Sequence, residues 1–186
     1  MSAESLTGRL LVATPQIEEG LFYRSVVLIL DHGLEGSQGV VLNRPLEAEV
    51  DAILPGWQAL ATQPGTVFHG GPVQTDSALG LVSVPGEEDA PMGIRRLFGG
   101  LGVVDLDAPP PLVASEVSGL RIFAGYAGWT AGQLEEEIRT GSWYVVDAEA
   151  RDAFTDIPHD LWVRVLRRQQ DELAFVSTYP HDPTLN

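Results

Sequence analysis

The stretch SVVLILDHGLEGSQGVVLNRP, residues 25–45, decides the fold class. It predicts two strands, Ser25–His32 and Gly39–Asn43, because each is an apolar, branched run of strand length. Gly33 and Pro45 supply the breaks that end them. Since no helical segment separates the two runs, we expect them to pair without a crossover helix, which favours antiparallel or mixed pairing.

The same pattern continues on both sides of this stretch. A single short helix, Glu47–Leu54, interrupts the strands of the first half, with Val50, Ile53 and Leu54 on one face. The other strands predicted in this half are Arg9–Thr14, Thr66–His69 and Ala78–Val84. Strands and helices therefore alternate too irregularly for a doubly wound parallel sheet, and we predict an α+β fold.

The second half alternates between strands and helices. We predict the strands Leu120–Tyr126, Ser142–Val146 and Leu173–Ser177 and the helices Thr130–Arg139, Ala148–Phe154 and Pro158–Gln169. In the first of these helices Thr130 and Gln133 have the spacing of a capping box, and Glu135 and Arg139 have the spacing of an i,i+4 ion pair. Asp147 can cap the second helix at its start. We expect Pro85–Pro91 and Asp107–Pro111 to be loops and the tail Tyr179–Asn186 to be irregular. The secondary structure of Gly93–Asp105 is not predicted, because glycines interrupt its apolar residues. A length of 186 residues fits one domain, residues 1–186.

Composition excludes several function classes. The chain has no cysteine, and all 11 of its basic residues are arginine, so disulfides, thiolate metal sites and lysine nucleophiles are ruled out. The formal net charge of −15 disfavours direct nucleic-acid binding, which depends on cations that neutralise phosphates. No apolar run reaches the roughly 20 residues of a membrane-spanning helix, and no export signal begins the chain. We expect a cytoplasmic protein.

Metal and hydrolase patterns are absent from the sequence. The four histidines, His32, His69, His159 and His181, are far apart and have no second ligand at helical spacing. The sequence contains no G-x-S-x-G motif, and Asp31 and His32 point to opposite faces of a strand. We therefore predict neither a metal site nor a cofactor.

The glycine-rich segment His69-Gly70-Gly71-Pro72 supports an anion-site hypothesis. Successive glycines can expose backbone N–H groups that bind anions, and Arg24 or Arg44 could hold a phosphate or carboxylate in a bidentate manner. The alternative is a tight turn between two strands, with each arginine paired to one of the 26 carboxylates. The predicted ligand-binding residues are Arg24, Asn43, Arg44, His69, Gly70 and Gly71.

A second glycine-rich segment, Gly125-Tyr126-Ala127-Gly128-Trp129, precedes the predicted helix at Thr130. Its glycines fit a sharp change from strand to helix, while Tyr126 and Trp129 are large anchors with polar tips. This segment is either a packed corner or the rim of a binding site.

Three blocks of the sequence form a recognisable set. The first comprises residues 11–15 and 22–27 together with His32, Gly36, Gly39 and Leu42-Asn43-Arg44-Pro45; the second is Gly70-Gly71-Pro72-Val73. The third is residues 125–129 followed by Gly132-Gln133-Leu134-Glu135 and Trp143. In order and spacing these blocks resemble the YqgE/AlgH family. The resemblance covers nearly the whole chain, although residues 85–118 match no block and the tail departs from the Gly-Asp-rich ends of other members.

The resemblance implies a single-domain α+β protein whose mixed, bifurcated sheet curls into a pseudo-barrel with flanking helices. Members carry no assigned catalytic residues, and some bear the label of transcriptional regulator. The leading hypothesis is a non-catalytic binding or regulatory module for a protein partner or a small anionic ligand. The alternatives are an enzyme that uses Arg24, His32, Asn43, Arg44 and His69, or an indirect or DNA-binding transcriptional regulator. The sequence leaves the oligomeric state open.

Overall fold

The computed structural model describes residues 5–86, 92–170 and 172–180. Within them lie ten strands: β1 (Arg9–Ala13), β2 (Val26–Gly33), β3 (Gly36–Val41), β4 (Pro45–Glu49), β5 (Thr66–His69), β6 (Val73–Ser83), β7 (Ile94–Phe98), β8 (Leu101–Val104), β9 (Gly119–Thr130) and β10 (Trp143–Asp147). The α-helices are α1 (Val50–Ile53), α2 (Pro110–Val113), α3 (Gln133–Arg139), α4 (Leu161–Arg168) and α5 (Glu172–Val176). Three 3₁₀ turns lie at Gln58–Leu60, Ala150–Phe154 and Pro158–Asp160.

All ten strands belong to one mixed, curled sheet. Its main path runs β10-β1-β2-β3-β9-β6-β8-β7, and every pair along this path is antiparallel. Strand β5 pairs parallel with β9 and antiparallel with β4, off the main path. The predicted α+β class and the curled, bifurcated sheet are confirmed.

The branch point of the sheet lies along β9, the longest strand. One edge of β9 pairs with β6, and its other edge pairs first with β5 at residues 123–124 and then with β3 at residues 127–130. Gly70, which follows β5, sits between the two branches: its N–H donates to the Ala124 carbonyl and its carbonyl accepts from the Val41 N–H, both at 2.8 Å. We call Gly70, Gly71 and Gly125 the glycine fork.

Backbones approach each other in the glycine fork more closely than a side chain allows. A Cβ on Gly70 would lie 2.3 Å from the Gly125 oxygen, and one on Gly71 would lie 2.1 Å from the Tyr126 carbonyl carbon. Gly125 adopts φ +74°, a left-handed conformation that favours glycine. The two glycine-rich sequence segments therefore form one structural contact.

Apolar side chains cover both faces of the sheet. Alternate residues of β1 point to opposite sides, so Leu10 packs in the cluster with Trp162 of α4, and Leu11 in the cluster with Leu134 of α3. The Trp162 indole N–H donates to the Ala13 carbonyl at 2.8 Å, which fixes α4 on its face. The helices thus flank the sheet on either side of β1.

Arg121 of β9 is a buried cation, with 1% of its surface exposed. Its guanidinium donates to the carbonyls of Ala153, Thr155 and Gln63 at 3.1, 2.8 and 2.7 Å and lies 4.3 Å from the centre of the Phe68 ring. Burial lowers the pKa of Arg121 to about 10, partly offset by the charge of Asp156. Arg121 therefore ties the sheet to the loop before β5 and to the turn at residues 150–154.

One predicted strand, Leu173–Ser177, is wrong, because residues 173–176 lie in helix α5. Leu173 and Val176, three residues apart, both pack against the cluster that contains Trp162. Such spacing places them on one helical face, and a run of four apolar residues does not distinguish a strand from a helix by itself.

The predicted helix Glu47–Leu54 shortens to α1, because residues 45–49 pair with β5 as β4. The predicted helix Thr130–Arg139 begins at Gln133, since Thr130 still belongs to β9, and no side chain caps the helix at Gly132. Half of the expected capping box survives: the Thr130 N–H donates to the Gln133 side-chain oxygen at 3.0 Å.

Several smaller expectations also change. Arg139 pairs with Glu136 rather than with Glu135. Glu149 rather than Asp147 caps the turn at residues 150–154, and residues 158–169 divide into a 3₁₀ turn and α4. The open segment 93–105 is the hairpin β7–β8, and part of the Pro-rich segment 107–111 begins α2. Part of the expected loop 85–91 and most of the tail lie outside the described residues.

Candidate functional site

Four of the predicted site residues lie together, and we call them the arginine corner: Arg24, Asn43, Arg44 and His69. Asn43 is at its centre, with 4% of its surface exposed. Its side-chain oxygen accepts from the Val26 N–H and its side-chain nitrogen donates to the Arg24 carbonyl, both at 3.0 Å. Asn43, two residues after the end of β3, therefore positions Arg24 and the first residue of β2.

Arg24 is held in an unusual conformation. Its φ is +52°, which is uncommon for a residue other than glycine. Its guanidinium lies 4.3 Å from the centre of the Trp162 ring and 5.7 Å from that of Tyr23, and it donates to the Tyr179 carbonyl. The side chain is thus fixed by aromatic faces and a carbonyl.

Arg44 is half-buried beside it. Its guanidinium donates to the Asn43 carbonyl at 3.1 Å and to the Tyr23 carbonyl. Burial lowers the pKa of Arg44 because water is withdrawn from the charged form. Within the described part of the chain, no carboxylate oxygen lies within 4.0 Å of either Arg24 or Arg44, contrary to the pairing that the alternative hypothesis expected.

His69 joins the corner from β5. Its backbone N–H donates to the Arg44 carbonyl at 2.7 Å. Since Pro45 pairs with Phe68 in the antiparallel ladder, Arg44 stands opposite His69. Arg44 and His69 are therefore cross-strand neighbours, whose Cβ atoms are typically about 5 Å apart. Among the described residues, the His69 Nδ1 atom is buried without a hydrogen-bond partner.

Gly70 and Gly71 have a different position from the other predicted site residues. They lie in the glycine fork, where the Gly70 N–H is already bonded to Ala124. That N–H is not free to bind an anion. The fork instead sets the end of β5, and so the position of His69.

His32 lies far from the arginine corner. It is the second-last residue of β2 and lies six residues after Val26, where the strand begins, which at about 3.3 Å per residue is roughly 20 Å along the strand. Its Nδ1 atom is 2.6 Å from the Oγ atom of Ser37 across the β2–β3 hairpin. Ser37 is buried, and the described residues contain no group of three acidic or histidine side chains that could hold a metal.

A second site includes Trp129, which the sequence offered as the rim of a binding site or as a packed corner; the sequence did not predict its other residues. Phe22, Trp129, Trp143 and Glu137 line a cavity of about 370 Å³ that we call the tryptophan pocket. The ring of Trp143 meets those of Phe22 and Trp129 nearly at right angles, 85° and 81°, with centres 5.8 and 6.2 Å apart. Pro72 and Gln133 also line it, so residues of all three sequence blocks meet there.

Glu137 joins the two tryptophans. One of its carboxylate oxygens accepts from the indole N–H of Trp129 at 3.0 Å and from that of Trp143 at 2.9 Å. The other accepts from the Gln133 side chain at 2.9 Å. A signal for Glu137 existed in the sequence, because two buried indoles need a hydrogen-bond partner, but nothing in the sequence paired residues 129 and 143.

The protein is thus an α+β protein with a branched sheet and a candidate site at the arginine corner. The family model described as AlgH-like matches residues 10–174 of the chain. The chain therefore belongs to the AlgH-like family, also named UPF0301 and YqgE/AlgH. Within the described residues, no helix is long and apolar enough to cross a membrane.

Individual relatives agree with this assignment. UPF0301 proteins of Streptomyces avermitilis and Streptomyces coelicolor are each 58% identical to the chain, covering 98% of it and 96% of the relative. A crystal structure from Corynebacterium diphtheriae matches with TM-score 0.88 and 36% identity, over 96% of this chain and 94% of that one. The solution structure of AlgH from Pseudomonas aeruginosa matches with TM-score 0.69 and 24% identity over 96% of both chains, which shows the fold alone.

Proposed function

We propose that the protein is a non-catalytic binding module that recognises an anionic group, a phosphate or a carboxylate, at the arginine corner. One observation carries this proposal: Arg24 and Arg44 both contact Tyr23, through its ring and its carbonyl respectively, and in the described part of this strongly acidic chain neither has a carboxylate partner. Buried or half-buried charges are normally paired. An unpaired, ordered pair of guanidiniums is a site that an anion would complete.

Donors remain available for such an anion. An arginine has five N–H donors; in the described part of the chain Arg24 uses one and Arg44 uses two, all toward backbone carbonyls. Guanidinium donors bind phosphate and carboxylate in a bidentate geometry, and partial burial strengthens such bonds. His69 Nδ1 offers a further polar atom next to Arg44.

The same contacts supply a route from ligand to regulation. Arg24 donates to the Tyr179 carbonyl, just beyond α5. An anion that draws on the Arg24 guanidinium competes with this bond and so alters how Tyr179 is held. Binding at the corner would thereby change the surface that a partner protein meets.

The two alternative functions have less support. The separation of His32 from the arginine corner divides the five-residue polar set that the enzyme hypothesis needs. The net charge of −15 argues against direct DNA binding. The two arginines of the corner are too few to neutralise a run of phosphates, and the rest of the molecule is acidic and repels them.

Inorganic phosphate and succinate are the probes that test the proposal. We expect one of them at saturation to raise the melting temperature of the wild-type protein, because a ligand present at about 100 times its Kd adds roughly 2.7 kcal/mol to the free energy of unfolding. Arg44→Gln should weaken binding about tenfold or more, because a hydrogen bond to a charged group is lost. Differential scanning fluorimetry measures both effects.

Arg167→Gln is the matched control, since Arg167 is exposed on α4, five residues after Trp162 and so turned away from the helical face that Arg24 contacts. It should retain wild-type affinity. Arg24→Gln provides a second test in case Arg44→Gln fails to fold. Equal loss in all three variants, or no stabilisation of the wild type by either anion, would contradict the proposal.

A further inference from the structure

The tryptophan pocket has the opposite electrostatic character from the arginine corner. Its described lining includes two carboxylates, those of Glu19 and Glu137, and no basic side chain. The net charge of the whole chain, −15, has the same sign as the charge of the pocket. Such a pocket repels anions and concentrates cations.

The aromatic walls of the pocket are arranged as a corner. The Trp143 ring stands nearly perpendicular to Phe22 on one side and to Trp129 on the other. Trp129 and Trp143 are 7% and 5% exposed, so they present little surface except toward the cavity that they line. Perpendicular aromatic faces that surround a small space are the arrangement that binds organic cations through the ring quadrupoles.

Glu137 sets the charge of this corner. A carboxylate has about four acceptor positions, and the described contacts of Glu137 use three: two on the oxygen shared by the tryptophans and one on the oxygen bonded to Gln133. The remaining acceptor position is on the oxygen that faces Gln133, which also lines the cavity. The three bonds fix the carboxylate, so no ordering is needed when a cation arrives.

We propose that the tryptophan pocket binds an organic cation: an alkylammonium or guanidinium group on an apolar stem. The aromatic faces contact the stem and the charged head, and Glu137 provides the counter-charge. The cation is either a free amine or the side chain of a basic peptide, and both share this chemistry. This site is separate from the anion site and does not depend on it.

The test follows the indole N–H resonances of the four tryptophans by NMR during titration with agmatine. We expect the signals of Trp129 and Trp143 to shift in a saturable manner, while those of Trp57 and Trp162 stay fixed. Neutral n-pentanol should bind at least tenfold more weakly by the same signals, because it can form neither the cation–π interaction nor the ion pair with Glu137. Tighter binding of an amidated Gly-Gly-Arg-Gly-Gly peptide than of agmatine would identify the source as a protein, and the reverse would identify a free amine.

Glu137→Gln and Glu135→Gln form a matched pair on α3, with the same change of net charge. Glu135 is exposed. We expect agmatine affinity to fall about tenfold in Glu137→Gln and to stay at the wild-type value in Glu135→Gln. Should Glu137→Gln fail to fold, Glu19→Gln at the exposed rim still predicts about a twofold loss. Equal loss in the Glu135 and Glu137 variants, equal binding of n-pentanol, or unmoved indole signals would overturn the inference.

Discussion

Gly71→Ala is expected to prevent folding of the protein at 37 °C. The new Cβ would lie 2.1 Å from the Tyr126 carbonyl carbon and 2.3 Å from the Ala127 nitrogen, both backbone atoms of β9. Neither can move without opening the fork between β5 and β9. We expect a loss of at least about 4 kcal/mol in the free energy of unfolding, which is the range of exceptional single substitutions, and insoluble expression or a urea midpoint near zero.

Gly128→Ala is the control for this prediction. Gly128 is in the other glycine-rich segment, on β9, and a Cβ there would make only an ordinary contact at 3.6 Å with the Tyr126 side chain. It should change the free energy of unfolding by less than about 1 kcal/mol. Wild-type stability of Gly71→Ala would show that β5 and β9 do not meet as described.

Arg121→Met should be nearly as damaging. The substitution keeps a long apolar stem but removes the donors to the carbonyls of Ala153, Thr155 and Gln63. The Ala153 carbonyl is buried and the other two are partly buried; since each lost partner costs about 1–3 kcal/mol, we expect a total loss of about 4 kcal/mol or more. Urea denaturation followed by circular dichroism measures it, and the change is a large share of a typical domain stability of about 5–15 kcal/mol.

Arg95→Met separates this effect from a general loss of charge. Arg95 is exposed on β7. Its replacement should alter the free energy of unfolding by no more than about 0.5 kcal/mol. If Arg121→Met were equally mild, the buried guanidinium would not be what joins β9 to the turn at residues 150–154.

Most of the fold could be predicted from the sequence because the strands are local signals. Apolar, branched runs bounded by glycine and proline gave the positions of β1, β2 and β5 within one or two residues. The missed strand β4, PLEAE, is largely exposed and lacks a run of branched apolar residues, so only its pairing with β5 makes it a strand. Residues 172–176 are helical for a similar reason: the contact with the Trp162 cluster, and not local sequence, decides the conformation.

The candidate site was partly predictable. Arg24, Asn43, Arg44 and His69 were chosen for their residue types, and the pairing of β4 with β5 brings the last two together. The roles of Gly70 and Gly71 depend on a contact with β9, about 55 residues further along the chain, which no local pattern encodes. The same is true of Arg121, whose carbonyl partners lie 32 to 58 residues away along the chain. Glu137 bonds to tryptophans only eight and six residues away, but these lie on β9 and β10, which no local pattern brings together.

The most direct test of the account is a titration of the wild-type protein with inorganic phosphate and with succinate, observed through the arginine Nε–H resonances by NMR. The account predicts that one anion shifts the signals of Arg24 and Arg44 in a saturable manner, with one common Kd, while the exposed Arg164 and Arg167 stay unchanged. Uniform, non-saturating shifts of all arginines, or no shift of Arg24 and Arg44 with either anion, would contradict an anion site at the arginine corner.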